Sequence, residues 1–431
     1  MESVNTLILG GGISGIAFSH FYDKDDYLII EKTDRLGGLC KSFKVGDSIF
    51  DYSGHFMHFK DIEIEKYVRD LVAKHSTGEF RQYERRAGIA MMGPDGRVSQ
   101  VVDYPFQANI HQLDKGVFID ALTDLWYAGI ADKVTGHIAS FEDLVRNTFG
   151  NKITDIFFKP YNEKLYCTEL KNISADGMRR FIPKVSFAEV IENFKAPKNF
   201  GYNSLFLYSP TSGIQGLVDA FVKEKTVNAS LNEEIIDIDI YQKIVKTDKC
   251  TITYETLINT LPLNLFTKLT HQADVGLRSV DVNVYNITYK GESSPTIDNR
   301  CWVYVPDEHI PFYRVGYYSY MSGKPDTSIY VEVSTPSGMQ DVAPSLEEID
   351  RSLRKHGFIY DDAVIKDSQQ LLMSPAYAII ETDTDSKVSK YRTSLEEQGV
   401  YLTGRYGLWT YCSIEDNIRW AKDLAAKLNT I

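Results

Sequence analysis

Gly10, Gly12 and Gly15 stand at G-x-G-x-x-G spacing directly after the apolar segment Val4-Asn5-Thr6-Leu7-Ile8-Leu9. At this spacing the first glycine permits a tight turn, and the second lets a pyrophosphate approach the backbone. The third lets a helix pack closely on the preceding strand. A helix beginning near Ser14 would offer unpaired N–H groups and the positive end of its dipole to the phosphates. Tyr27-Leu28-Ile29-Ile30 reads as a second strand, and Glu31 at its end is placed to accept hydrogen bonds from a ribose. Three glycines alone are a weak signal, but strand, glycines, helix, strand and terminal acid in this order are specific. The chemistry they point to is dinucleotide binding.

The 431 residues are enough for two or three domains. Hydrophobic residues make up 43% and charged residues 25%, the composition of a globular protein rather than a disordered one. The formal charge of -12 argues against a generally cationic nucleic-acid binder, so an anionic ligand must be held by a few placed arginines. The 27 Tyr and 22 Phe suit the stacking of flat rings as well as ordinary core packing. The five cysteines are scattered, with no C-x-x-C pair, so neither a disulfide scaffold nor a metal site is expected. No basic n-region precedes the glycines and no segment is apolar enough to span a bilayer, so a cytoplasmic protein with no membrane span is expected.

The N-terminal pattern extends through Arg35-Leu36-Gly37-Gly38-Leu39, which adds a second backbone approach to a bound ligand and a nearby cation. This extension resembles the FAD-binding flavoproteins of the amine-oxidase type more than nicotinamide dehydrogenases. Glu234 to Ile240 alternates as a strand, and Thr256 to Pro262 is similar to that group's strand returning to the cofactor domain. The resemblance implies FAD, with Gly10, Gly12, Ser14, Gly15, Glu31, Arg35, Gly38 and Leu39 as its contacts.

Helical patterning dominates 108–200, with helices expected over Val117–Ala131 and from Ser140, which precedes Glu142 and Asp143 as an N-cap would. Val282 to Tyr289 and Ile329 to Val333 alternate as strands. The expected fold class is α/β: a Rossmann-like FAD-binding domain with a helical insertion and an antiparallel β-sheet domain. The discontinuous FAD-binding domain is assigned to 1–85, 200–275 and 385–431. The helical domain takes 105–199, and the β-sheet substrate domain takes 86–104 and 276–384.

Four further motifs stand out. They are Tyr104-Pro105-Phe106-Gln107, Lys159-Pro160-Tyr161-Asn162-Glu163-Lys164-Leu165-Tyr166, Cys301-Trp302-Val303-Tyr304 leading to Pro311-Phe312-Tyr313-Arg314, and Gly404-Arg405-Tyr406-Gly407-Leu408-Trp409-Thr410-Tyr411. In this order behind the glycine fingerprint they resemble the UDP-galactopyranose mutase family, particularly its eukaryotic-type branch. The resemblance implies that Phe106 and Gln107 contact a uracil base, with Tyr104 beside them. It implies that Arg314 binds a diphosphate, with Arg180, or its neighbour Arg179, as the second arginine. Tyr304, Tyr377 and Tyr411 would reach phosphate oxygens, Asn162, Asn203 and Tyr166 would lie near the sugar, and Trp302 would wall the pocket. His55 would stand beside the flavin ring, and Arg405, Asp416 and Asn417 would contact FAD. A guanidinium suits the diphosphate because it stays charged and bonds phosphate oxygens in a fork.

The function so implied is a flavin-dependent nucleotide-sugar mutase that interconverts pyranose and furanose forms. UDP-galactose would be the first substrate to test, and the FAD would have to be reduced. Arg85 and Arg86 lie near where the resemblance puts a NAD(P)H reductant, although adjacent arginines are commonly just a solvated face. The absence of H-E-x-x-H and G-x-S-x-G motifs fits a reaction carried by the cofactor. The competing reading is an amine-oxidase-like FAD oxidoreductase, which shares the glycine motifs but has no need of diphosphate-binding arginines. Tyr166 and Ser53 depart from the family pattern, where tryptophan and glycine are usual, and leave the identity of the sugar open.

Overall fold

The computed structural model describes residues 2–131, 138–180, 182–195, 204–292, 297 and 299–430. Its first sheet has seven strands, centred on Glu2–Leu9, which runs parallel to both Tyr27–Ile30 and Thr251–Asn259. Leu7, Ile8, Leu9, Ile29, Leu257 and Ile258 are all fully buried, as expected of parallel strands covered on both faces. Val400–Leu402 joins alongside 257–259, also parallel. The helix Ile13–Phe21 packs against the last helix, Ile414–Asn429, so the two ends of the chain meet over this sheet.

The second sheet also has seven strands, in the spatial order 365–378, 279–289, 327–336, 314–317, 302–304, 87–92, 98–103. The sheet-domain expectation was antiparallel pairing, and one pair departs from it: Trp302–Tyr304 runs parallel to 87–89. Those two segments are far apart in the chain, so no hairpin constrains their direction.

The helices Lys115–Ala131, Phe141–Ile153, Lys159–Tyr166 and Phe187–Lys195 follow the strand 98–103 in the chain. Ser140 caps the second of them, its hydroxyl accepting from the Asp143 N–H at 3.1 Å. A wide turn over Thr154–Phe158 leads into Lys159–Tyr166 and sets that helix against the second sheet. Among the described residues, no helix is long and apolar enough to cross a membrane.

Candidate functional site

A cavity of about 900 Å³ opens at the C-terminal ends of the parallel strands, where Leu9, Ile30, Asn259 and Leu402 give way to loops, and it runs on to the second sheet. Gly10, Gly12 and Ser14 line one end, with Glu31, Gly37, Gly38 and Leu39. Gly15 sits behind them: a Cβ there would stand 2.3 Å from the Gly10 carbonyl oxygen, so only glycine lets the helix rest on the turn. Gly38 has φ +57°, and its Cβ would come within 3.0 Å of the Gly12 Cα. The helix Ile13–Phe21 has no side-chain cap at Gly12, which leaves its first-turn N–H groups for a ligand.

Glu31 is buried. One of its oxygens accepts from the Gly11 N–H at 2.9 Å, and the other accepts from the Thr33 N–H at 2.9 Å and the Thr33 hydroxyl at 2.6 Å. Asn417, on the last helix, accepts from Ser14 Oγ and from the Arg405 N–H, both at 2.8 Å. A bare cradle, a helix N-terminus and a buried ribose-height acid are the parts that a dinucleotide requires, and the residues present fit one.

The other end of the cavity is aromatic and charged. Arg314 lines it and forms a fork with Glu332: Nη2 donates to Oε1 at 2.8 Å, and Nε donates to Oε2. Glu332 is wholly buried, and the Ser53 hydroxyl donates to the same carboxylate while standing 3.3 Å from Arg314 Nη2. Arg405 is different. Its guanidinium lies 5.1 Å from the Tyr377 ring centre and 4.7 Å from that of Tyr411, two rings that stack on each other. Its partners are the carbonyls of Cys412 at 3.2 Å and Ala376 at 3.3 Å, and its Nε is buried with no acceptor. Among the described residues no carboxylate pairs with it, so this half of the cavity carries an uncompensated positive charge.

Tyr304 meets Tyr104 and Tyr161 with ring centres 5.4 and 5.1 Å apart, and Trp302 stacks on Phe56 at 5.6 Å. His55 lines the cavity with a buried, unpartnered Nδ1. Burial first, then the Arg405 and Arg314 charges, hold its pKa down at about 4, so the imidazole is neutral near pH 7.

The sequence-derived residues divide accordingly. Gly10, Gly12, Ser14, Glu31, Gly38, Leu39, His55, Trp302, Tyr304, Arg314, Tyr377, Arg405, Tyr411 and Asn417 share the one cavity. Arg180 stands behind its wall, half-exposed, donating to the Tyr411 carbonyl and lying 3.5 Å from Asp416. Asp416 serves as half of a capping box with Ser413 at the start of the last helix. Arg35 donates to the Ser42 carbonyl at 2.9 Å and covers Phe43, away from the cavity.

Phe106 is fully buried against Phe157, and Gln107 donates to the Pro183 carbonyl at 2.7 Å. Asn162 donates to the Phe158 carbonyl at 2.6 Å, at the end of the wide turn that precedes its helix. Tyr166 sets its edge against Tyr377 and lines a separate cavity of about 270 Å³ beside Cys167. Asn203 lies outside the described residues. Only one of the adjacent arginines fits a solvated face: Arg86 is exposed, but Arg85 is buried with its guanidinium 4.6 Å from the Tyr104 ring centre. Glu332 was missed in the sequence, although a glutamate inside the apolar run Ile329-Tyr330-Val331-Glu332-Val333 signals a buried charge that needs a partner.

Residues 8–74 match the family described as the NAD(P)-binding Rossmann-like domain. The chain therefore carries a Rossmann-like domain, joined here to a second sheet through a shared cavity. Across its whole length it is similar in fold to reduced UDP-galactopyranose mutase, at 20% identity and a TM-score of 0.87, covering 99% of this chain and 95% of that one. It is also similar to wild-type putrescine oxidase bound to putrescine, at 14% identity and a TM-score of 0.66, over 100% and 99% of the two chains. A probable flavin-containing monoamine oxidase A of Dictyostelium discoideum is 27% identical over 120 residues, which is 27% of this chain and 24% of that protein. At these identities what is shared with the solved structures is the fold.

Proposed function

We propose that the protein is a FAD-dependent nucleotide-sugar mutase acting on a UDP-sugar, with UDP-galactose the first candidate. The observation that carries this reading is the single cavity joining the glycine cradle to Arg314, Arg405 and three tyrosines, in a chain whose fold is similar to UDP-galactopyranose mutase end to end. The first-turn N–H groups of Ile13–Phe21 and the glycine backbone would hold the FAD pyrophosphate, Glu31 its ribose, and Asn417 would fix the helix end by its bond to Ser14. When bound, reduced flavin would supply the nucleophilic chemistry at the anomeric carbon.

The protein's own groups would do the rest. Arg405, without a carboxylate, is the stronger anchor for a diphosphate, and Arg314 adds a forked donor whose charge Glu332 offsets. The hydroxyls of Tyr304, Tyr377 and Tyr411 would orient the departing diphosphate. His55, neutral beside two guanidiniums, would add no further charge.

The fold similarity to putrescine oxidase favours an amine-oxidase reading as the second choice. A cationic amine entering this cavity would meet Arg405, whose charge repels it, while Glu332, the carboxylate beside Arg314, is already engaged by that arginine. Calorimetric titration of the FAD-loaded, dithionite-reduced protein with a panel of nucleoside diphosphate sugars separates the two readings. The mutase reading expects a UDP-sugar to bind and free amines not to. Binding of amines with no uptake of any diphosphate sugar would overturn it.

A further inference from the structure

Lys164 belongs to the Lys159–Tyr166 motif, yet none of the roles above uses it. Its Nζ donates to three main-chain carbonyls: Val305 at 2.9 Å, Phe312 at 3.2 Å, and Asp307. These belong to the loop that joins Trp302–Tyr304 to Arg314–Tyr317, and they lie towards both of its ends. Tyr304 and Arg314 are the register pair that closes the hairpin, followed by a Val305 N–H bond to the Tyr313 carbonyl at 2.8 Å. The two side chains on the cavity wall are therefore each within two residues of a carbonyl bound to Lys164. Tyr161, on the helix of Lys164, sets its ring edge against Tyr304 and Tyr313 at 5.1 and 6.1 Å. Three carbonyl acceptors call for three N–H donors, which the protonated amine has and the neutral amine lacks. Burial draws the Lys164 pKa down to about 7, and the carboxylates of Asp307 and Glu308 oppose that pull.

We infer that Lys164 is a positioning residue: by fastening both ends of the 305–313 loop to the Lys159–Tyr166 helix, it sets where Tyr304 and Arg314 stand in the cavity. That these two residues meet a nucleoside diphosphate rests on the function proposed above. The clamp itself does not.

The test compares wild type, Lys164→Met and Lys164→Arg as FAD-loaded protein at about pH 6.5. The readouts are amide hydrogen exchange, bound flavin per chain, and UDP affinity by calorimetry. Lys164→Met is expected to speed exchange over 305–313 by about tenfold or more and to leave exchange over 2–9 and 251–259 unchanged. It is expected to keep its flavin and to weaken UDP by about fivefold or more, with Lys164→Arg recovering most of both changes. Exchange over 305–313 within about twofold of wild type would overturn the inference. So would faster exchange spread evenly through both sheets with loss of flavin, because that is a general packing defect. If the loop loosens as expected but wild type itself binds no UDP, the clamp stands and the nucleotide-sugar reading fails. Should Lys164→Met not yield folded protein, the same readouts on Lys164→Gln, which keeps an N–H donor on a shorter arm, decide the question.

Discussion

Removing Arg314 alone should cost more than removing it together with its partner. Glu332 is wholly buried and its two oxygens take the Arg314 fork, with Ser53 on the same carboxylate. Arg314→Ala leaves that carboxylate in a low-dielectric site with only a hydroxyl to offset it, and breaking one side of a buried ion pair costs about 3–5 kcal/mol. Adding Glu332→Gln removes the stranded charge, so the double variant should recover about 2–3 kcal/mol of the loss. The assay is denaturant unfolding of the two single variants and the double variant at neutral pH. UDP calorimetry on the same proteins separates fold from function, because affinity should be weakened in Arg314→Ala and stay weakened in the double variant. Losses from the two single changes that add to within about 0.5 kcal/mol of the double variant's loss would contradict this. In that case Arg314 and Glu332 would not be coupled and the charge accounting of the cavity would be wrong.

Other consequences follow from single positions. Gly38→Ala puts a Cβ within 3.0 Å of the Gly12 Cα at φ +57°, so bound flavin per chain should fall by about tenfold while both sheets stay folded by circular dichroism. Burial raises Asp51 to about 7, so the folded state holds a proton there that the unfolded chain has released. Stability should accordingly fall by about 1.4 kcal/mol from pH 6 to 8.5 from this group, and Asp51→Asn should remove that slope in urea unfolding. His55 is depressed to about 4, so as pH falls through 6.5 the unfolded chain takes a proton that the folded one refuses. From pH 7 to 4.5 this amounts to about 2 kcal/mol, and His55→Asn should lose correspondingly less stability over that interval.

The parts of the site legible in the sequence are those fixed by local backbone demands. Gly10 to Gly15 and Glu31 each do their work within one strand–turn–helix–strand unit, so spacing alone locates them. Ser140 as a helix cap, and the alternating strands around 282–289 and 329–333, are legible for the same reason. The inner half of the cavity depends on pairings across the chain. Glu332 faces Arg314 because their strands are neighbours in register, a fact with no local signature. Arg180 and Arg314 look alike in sequence, yet one turns to the Tyr411 carbonyl and Asp416 while the other points into the cavity. Arg85 and Arg86 are adjacent and opposite in fate: both lie in the two-residue link between the strands 81–84 and 87–92, and only Arg85 is buried, over the Tyr104 ring. Phe106 and Asn162 carry types suited to a ligand, but in this conformation their contacts are Phe157 and the Phe158 carbonyl.

Converting UDP-galactofuranose to UDP-galactopyranose with dithionite-reduced, FAD-loaded protein, followed by chromatography of the nucleotide sugars, tests the central claim most directly. Multiple turnovers that require reduced flavin and leave it reduced at the end are expected. Reduced, flavin-replete protein that leaves the furanose form untouched while oxidising an amine at the expense of oxygen would contradict it.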